Sequence, residues 1–167
     1  MIRKGEETMK QVEISRWLKG ITCIIGIMGV IFFFCIVPML AGEMRQQYPE
    51  AAFLYWPGLA YSCAIAVGCY AVLFQFWKVC KEIGKDNSFS KENAAAFKSI
   101  SRIAVVLAGI WFLGLVALAG MGYMQPAIVL FLIFAIVISF VVAICAAALS
   151  HLVWKAYELR QENELTI

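Results

Sequence analysis

Long apolar runs organise this chain, and its polar residues are gathered into the gaps between them. Residues 20–42 contain no Asp, Glu, Lys, Arg or His, and residues 51–77 contain none either. Residues 103–154 carry His151 alone from that set, taken as neutral. A helix needs about 20 apolar residues, at 1.5 Å each, to cross a hydrocarbon layer of roughly 30 Å. The first two runs are therefore one span each. The third, as a single helix, would measure about 78 Å. It must fold back, and Gly120-Met121-Gly122-Tyr123-Met124-Gln125-Pro126 is the place. Its glycines accept turn dihedrals, and Pro126 disfavours helical geometry at Gln125. The pattern predicts spans at about 20–42, 53–77, 103–122 and 126–153, with one long polar connection over 78–102.

Composition moves the reading in the same direction. Of the 167 residues, 63% are hydrophobic and 15% charged, with a mean hydropathy of +0.83. Soluble domains run at roughly 45–50% apolar and about 25% charged. The lipid bilayer is the solvent these proportions fit. The expected fold class is an all-α integral membrane protein, a four-transmembrane-helix bundle forming a single membrane domain over residues 1–167. The apolar run at 21–41 exceeds the 7–15 residues of a signal-peptide core, so the first helix reads as retained.

Charge orients the bundle. Five of the Lys and Arg residues precede the first span, six lie in the 78–102 connection and two in the tail, against one, Arg45, between the first two spans. With four spans, thirteen share one side with both termini, which the positive-inside rule places in the cytoplasm. The expected location is the plasma or inner membrane, with multiple passes. Aromatic belts fit the frame: Trp17, Trp77 and Trp154 at the inner interface, and Tyr48, Tyr55, Trp56 and Tyr123 at the outer one. Trp111 falls about 12 Å into the third span, where a packing role between helices is expected.

Small residues at four-residue spacing predict close helix approach. Ala60, Ala64 and Gly68 form one stripe, and Ala135, Ser139, Ala143 and Ala147 another; both suit seams within the bundle or faces of a homodimer. Pro38 is expected to kink or end the first helix. The six cysteines form no CxxC and have no metal-site spacing, so no metal or cofactor is expected. Five fall in spans as packing residues, and Cys80, just past the second span, is expected to be the exposed one. No HExxH, GxSxG, P-loop or membrane-face carboxylate pair is present, and the protein reads as non-enzymatic. Charged residues that would handle a transported solute are missing from the spans, and His151 sits near an interface.

The connection carries the best local signal, "KDNSFSKENAAAF" over residues 85–97. Ser90 is a natural N-cap, Phe89 precedes it, and Glu92 suits the positive end of the helix. Asn93 stands where a full capping box has Glu or Gln. Gly84 is expected to end the preceding helix in a left-handed cap. If a cytoplasmic partner docks, residues 81–93, 9–17 and 157–164 should form the contact face, with Lys85, Lys91, Phe89, Ser90 and Asn93 at its centre. Phe89 is either the apolar anchor of that contact or a local staple fixing the helix start. Mixed charges and a net charge of +3 speak against direct nucleic-acid binding.

The stretch "NSFSKENAAAFKSISRIA", residues 87–104, resembles the signature between the second and third helices of a bacterial membrane family. That is the domain-of-unknown-function family numbered 2975. Phe89, Ser90, Asn93, Phe97, Ile100, Ile103 and Ala104 occupy the pattern's positions, and Ser88 stands where proline is common. The four-span layout extends the resemblance from about Ser15 to Tyr157. The resemblance implies no enzymatic activity. It implies a companion of a small cytoplasmic helix-turn-helix regulator, and hence a sensory or regulatory membrane protein. The alternative is a small transporter or channel, or an accessory subunit of a transport complex; a purely structural membrane role comes third.

Overall fold

In the computed structural model, residues 2–85, 87–123 and 125–165 are described, with side chains from 11 to 163 within those ranges. The described residues contain helices and no strand. α1 (Ile2–Ile31) passes through a π-helical turn (Phe32–Ile36) into α2 (Val37–Gln47). A 3-10 turn (Pro49–Leu54) leads into α3 (Tyr55–Ile83), followed by α4 (Lys91–Gly120) and α5 (Pro126–Leu165). Among the described residues, four stretches are long and apolar enough to cross a membrane: Gln11–Gln47, Pro49–Ile83, Lys91–Gly120 and Pro126–Asn163.

Pro38 neither ends the first helix nor breaks it. A proline ring collides with the carbonyl four residues back, here that of Phe34, and supplies no N–H. The chain widens by one residue ahead of it: the Val37 N–H bonds to the Phe32 carbonyl, five back. The wide turn takes up the conflict, and the helix continues to Gln47.

The spans pack in chain order, the first on α3, α3 on α4 and α4 on α5, so α1 and α5 form the two edges. α3 grips both neighbours with tyrosines. Tyr70 enters beside Gly29 and its hydroxyl donates to the Gly26 carbonyl at 2.7 Å. Tyr61 enters beside Gly114 and donates to the Ile110 carbonyl at 2.9 Å. A Cβ at Gly114 would overlap the Tyr61 phenol, and one at Gly29 would press on the Tyr70 hydroxyl at 3.0 Å. Trp111 lies edge-on to Tyr61 and to Phe131, with ring centres 6.1 and 5.8 Å away, which ties α3, α4 and α5 together.

The small-residue stripes work differently from the expectation. Ala60 and Ala64 are exposed, while Gly68 lies against Leu107 of α4. In α5, which packs on α4, the buried small residues are Ala143 and Ala146, while Ala147 is exposed. α3 meets its neighbours through tyrosines set beside their glycines and through its own Gly68 and buried Ala66, so Ala60 and Ala64 lie off the seam.

At one end Tyr123 donates to the Glu50 carbonyl at 3.2 Å, joining the two short connections. The opposite end holds thirteen of the 14 Lys and Arg residues, and is called the basic end below. There α1 and α5 continue as helices well past the apolar runs. The 40 residues of α5 span about 60 Å, twice a hydrocarbon core.

Candidate functional site

The connection between α3 and α4 at the basic end is short and heavily bonded. Its first element is the end of α3. Gly84 has φ −67 and ψ −14, right-handed geometry, so the expected left-handed cap is not formed. The glycine serves a close approach: a Cβ there would lie 2.7 Å from Ser15 Oγ and 3.2 Å from Ser15 Cβ. Ser15, only 2% exposed, donates to the Cys80 carbonyl at 2.6 Å. The arm before the first span is thereby pinned to the end of α3. Cys80, expected to be exposed, is fully buried beneath this contact, whereas Cys23, Cys35, Cys63 and Cys145 are exposed. Chain position suggested an accessible thiol, and the packing of α1 across it decides otherwise.

The second element is Glu82. Its carboxylate accepts from Lys85 Nζ at 2.8 Å and from Asn87 Nδ2 at 3.3 Å, and its carbonyl from the Lys85 and Asn87 backbone N–H groups at 3.1 Å each. Five residues beyond the uncharged run, this carboxyl is held below the usual range, first by the Lys85 bond and then by that of Asn87. One acidic side chain thus gathers both sides of the turn. Asp86 lies outside the described residues.

The third element is the start of α4. Ser90, in extended geometry and 2% exposed, caps the helix by accepting the Asn93 N–H at 3.2 Å. Asn93, 1% exposed, does more than stand in for a capping-box acid. Its Nδ2 donates to the Ser88 carbonyl at 2.9 Å and the Asn87 carbonyl at 3.4 Å. A glutamate there could only accept. An amide has donors to return to the carbonyls of the turn. Asn at the third helical position after a capping serine was the available signal for this back-bonding.

The outcome is a fixed turn that displays one large apolar group. Phe89 is 54% exposed, and the residue it would staple, Ala94, is buried. Lys85 is paired with Glu82, while Lys91 is exposed and faces α5. The three segments expected to share one face are only partly joined. The arm touches α3 through Ser15, and α5 touches α4, where Ser150 donates to the Ala94 carbonyl at 2.8 Å. Arm and tail lie on opposite sides of the turn. His151 is exposed and borders a groove between α4 and α5. Among the described residues, no three His, Cys, Asp or Glu side chains converge as metal ligands would.

Comparison with known proteins fits this layout. The family model described as "Protein of unknown function (DUF2975)" matches residues 39–167, from the end of the first span through the turn to the tail. The chain is also similar to the uncharacterized membrane protein YoaS of Bacillus subtilis (strain 168). The two are 28% identical over 153 residues, covering 90% of this chain and 96% of that protein. No solved structure matches the chain.

Proposed function

This chain belongs to the DUF2975 family and is a multi-pass membrane protein, and on that premise we propose that it acts as a membrane-held partner of a cytoplasmic protein. The docking element is the turn of residues 84–90, and the basic end faces the cytoplasm with both termini. The observation that carries the reading is Phe89, half-exposed on a turn fixed by Glu82, Ser90 and Asn93. An aromatic anchor on a preorganised turn loses little entropy on binding, and such residues dominate interface energetics. Around it Lys85, Lys91 and Glu92 supply a mixed-charge rim, which suits a polar protein interface. The partner implied by the family resemblance is a small helix-turn-helix regulator, which would make the role regulatory.

Affinity purification of the full chain from its native host in mild detergent tests this, with wild type compared against Phe89→Ala. The substitution leaves every hydrogen bond of the turn in place. The expected result is a small DNA-binding protein that co-purifies with wild type and is lost from the variant. Co-purification of membrane subunits alone, together with solute flux in reconstituted vesicles, would overturn the reading in favour of a transport role.

A further inference from the structure

α4 and α5 leave an open groove of about 660 Å³ between them at the basic end. That volume lies within the range of about 300–1,000 Å³ typical of small-ligand sites. Lys91, Lys98 and Arg102 line it from α4, and His151 and Trp154 from α5, over a floor of alanine and serine side chains. The three α4 cations are seven and eleven residues apart. At about 100° per residue they fall within some 40° of arc, spread over about 16 Å of helix. His151 and Trp154 are three apart on α5 and close the opposite wall.

Charge in this groove is unbalanced. No carboxylate lines it, and none of Lys91, Lys98, Arg102 or His151 makes an ion pair or side-chain hydrogen bond among the described residues. Elsewhere at this end, Lys85 is paired with Glu82 and Lys78 lies over the Phe74 ring. Glu92 follows Lys91 on the next face of α4, and Glu158 is one turn past Trp154, accepting its indole N–H at 2.8 Å. Like charges held along one groove repel unless an anion lies between them.

The groove also has a direction. Arg102 is the last charged residue before the uncharged run that starts at residue 103, so one end opens to the polar layer and the other to hydrocarbon. Trp154, 39% exposed, stands at the rim where an amphipathic ring suits the headgroup layer. An occupant must be anionic at one end and apolar along the other. We propose that the α4–α5 groove binds an anionic phospholipid, its phosphate held by Lys98 and Arg102, one turn apart, with Lys91 at the polar mouth, and its acyl chain laid along the two helices. Basic pockets between spanning helices hold anionic headgroups for this physical reason. The inference is independent of the protein-partner reading.

Native mass spectrometry of the full chain tests it, starting from phosphatidylcholine-containing micelles titrated with phosphatidylglycerol. Each basic side chain near an anionic lipid is worth about a fivefold change in binding. Wild type should retain phosphatidylglycerol at least about tenfold more strongly than phosphatidylcholine. Lys98→Gln with Arg102→Gln should remove that preference, and Lys98→Arg with Arg102→Lys should keep it. The control, Arg16→Gln with Lys19→Gln, removes the same charge at the same end but outside the groove, and should also keep the preference. Equal loss in the control would mean a general basic surface and overturn the proposal. So would displacement of the lipid by millimolar inorganic phosphate, which would mean that a free anion suffices.

Discussion

Gly84→Ala should destabilise the protein even though alanine suits the backbone there. In right-handed geometry, replacing glycine by alanine normally gains about 0.4–1 kcal/mol. Here the new Cβ would meet Ser15 Oγ at 2.7 Å and Ser15 Cβ at 3.2 Å. Ser15 is held by its 2.6 Å bond to the Cys80 carbonyl. Turning it away gives up a hydrogen bond worth about 0.5–1.5 kcal/mol, and moving the helices apart costs about 1–3 kcal/mol, as overpacking does. The net is a loss of about 1–2 kcal/mol, or roughly 2–8 °C in Tm for a chain of this size. Thermal unfolding of the purified protein in mild detergent, followed by circular dichroism, is the assay. Ser15→Ala alone should lower Tm through the lost bond, but in that background Gly84→Ala should be nearly neutral, a coupling of about 1 kcal/mol. Gly109→Ala, with nothing within 4 Å of the new Cβ, should stabilise by up to about 1 kcal/mol. A Gly84→Ala protein as stable as Gly109→Ala, or one equally damaged with and without Ser15 Oγ, would refute the close-approach account.

Ser90→Ala should cost about 1 kcal/mol at the start of α4 and speed amide exchange over residues 91–97; unchanged protection would mean that the hydroxyl does not cap. Asn93→Asp should be worse than Asn93→Ala, because a buried carboxylate would face the Ser88 and Asn87 carbonyls it cannot donate to; the loss should be about 1–3 kcal/mol. Amide exchange across residues 87–93 reads it, and equal behaviour of the two variants would remove Asn93 as a donor. For topology, a reporter fused after Ile167 should be active in its cytosolic form, and one inserted at Gln46 only in its exported form. A cytosolic signal from Gln46 would invert the assignment.

The four spans were legible because a bilayer enforces length and composition locally, and any uncharged run of sufficient length reveals itself. The cap was legible for a similar reason, since Ser90 and the backbone it bonds are three residues apart. What escaped depends on distances between helices. Gly84 was read by its conformational freedom when its reason is Ser15, sixty-nine residues earlier. Cys80 was read by its distance from the apolar run when α1 crosses over it. The small-residue stripe of α3 matched a known packing pattern, but of its members Gly68 is the one that lies against α4, and the side-chain hydrogen bonds are made by Tyr61 and Tyr70 beside glycines on other helices. The groove cations were counted for orientation, and only the juxtaposition of α4 and α5 set His151 opposite Lys98 and Arg102.

The helices are linked by hydroxyls that donate to backbone carbonyls, and the two kinds of hydroxyl yield differently under load. Toward the middle and far end the donors are tyrosines, Tyr61, Tyr70 and Tyr123. Tyr61 or Tyr70 pulled from its acceptor cannot reach its own helix backbone, and in hydrocarbon it has no substitute, so those two contacts resist separation. At the basic end the donors are Ser15 and Ser150. A helical serine can swing to the carbonyl four residues before it, as Ser62, Ser99 and Ser139 already do. Parting the helices there still loses the bond to the neighbouring helix, but the freed hydroxyl is not left unsatisfied. A pull that parts the helices would therefore be met at the basic end by hydroxyls that can rebond within their own helix, and at Tyr61 and Tyr70 by hydroxyls that cannot.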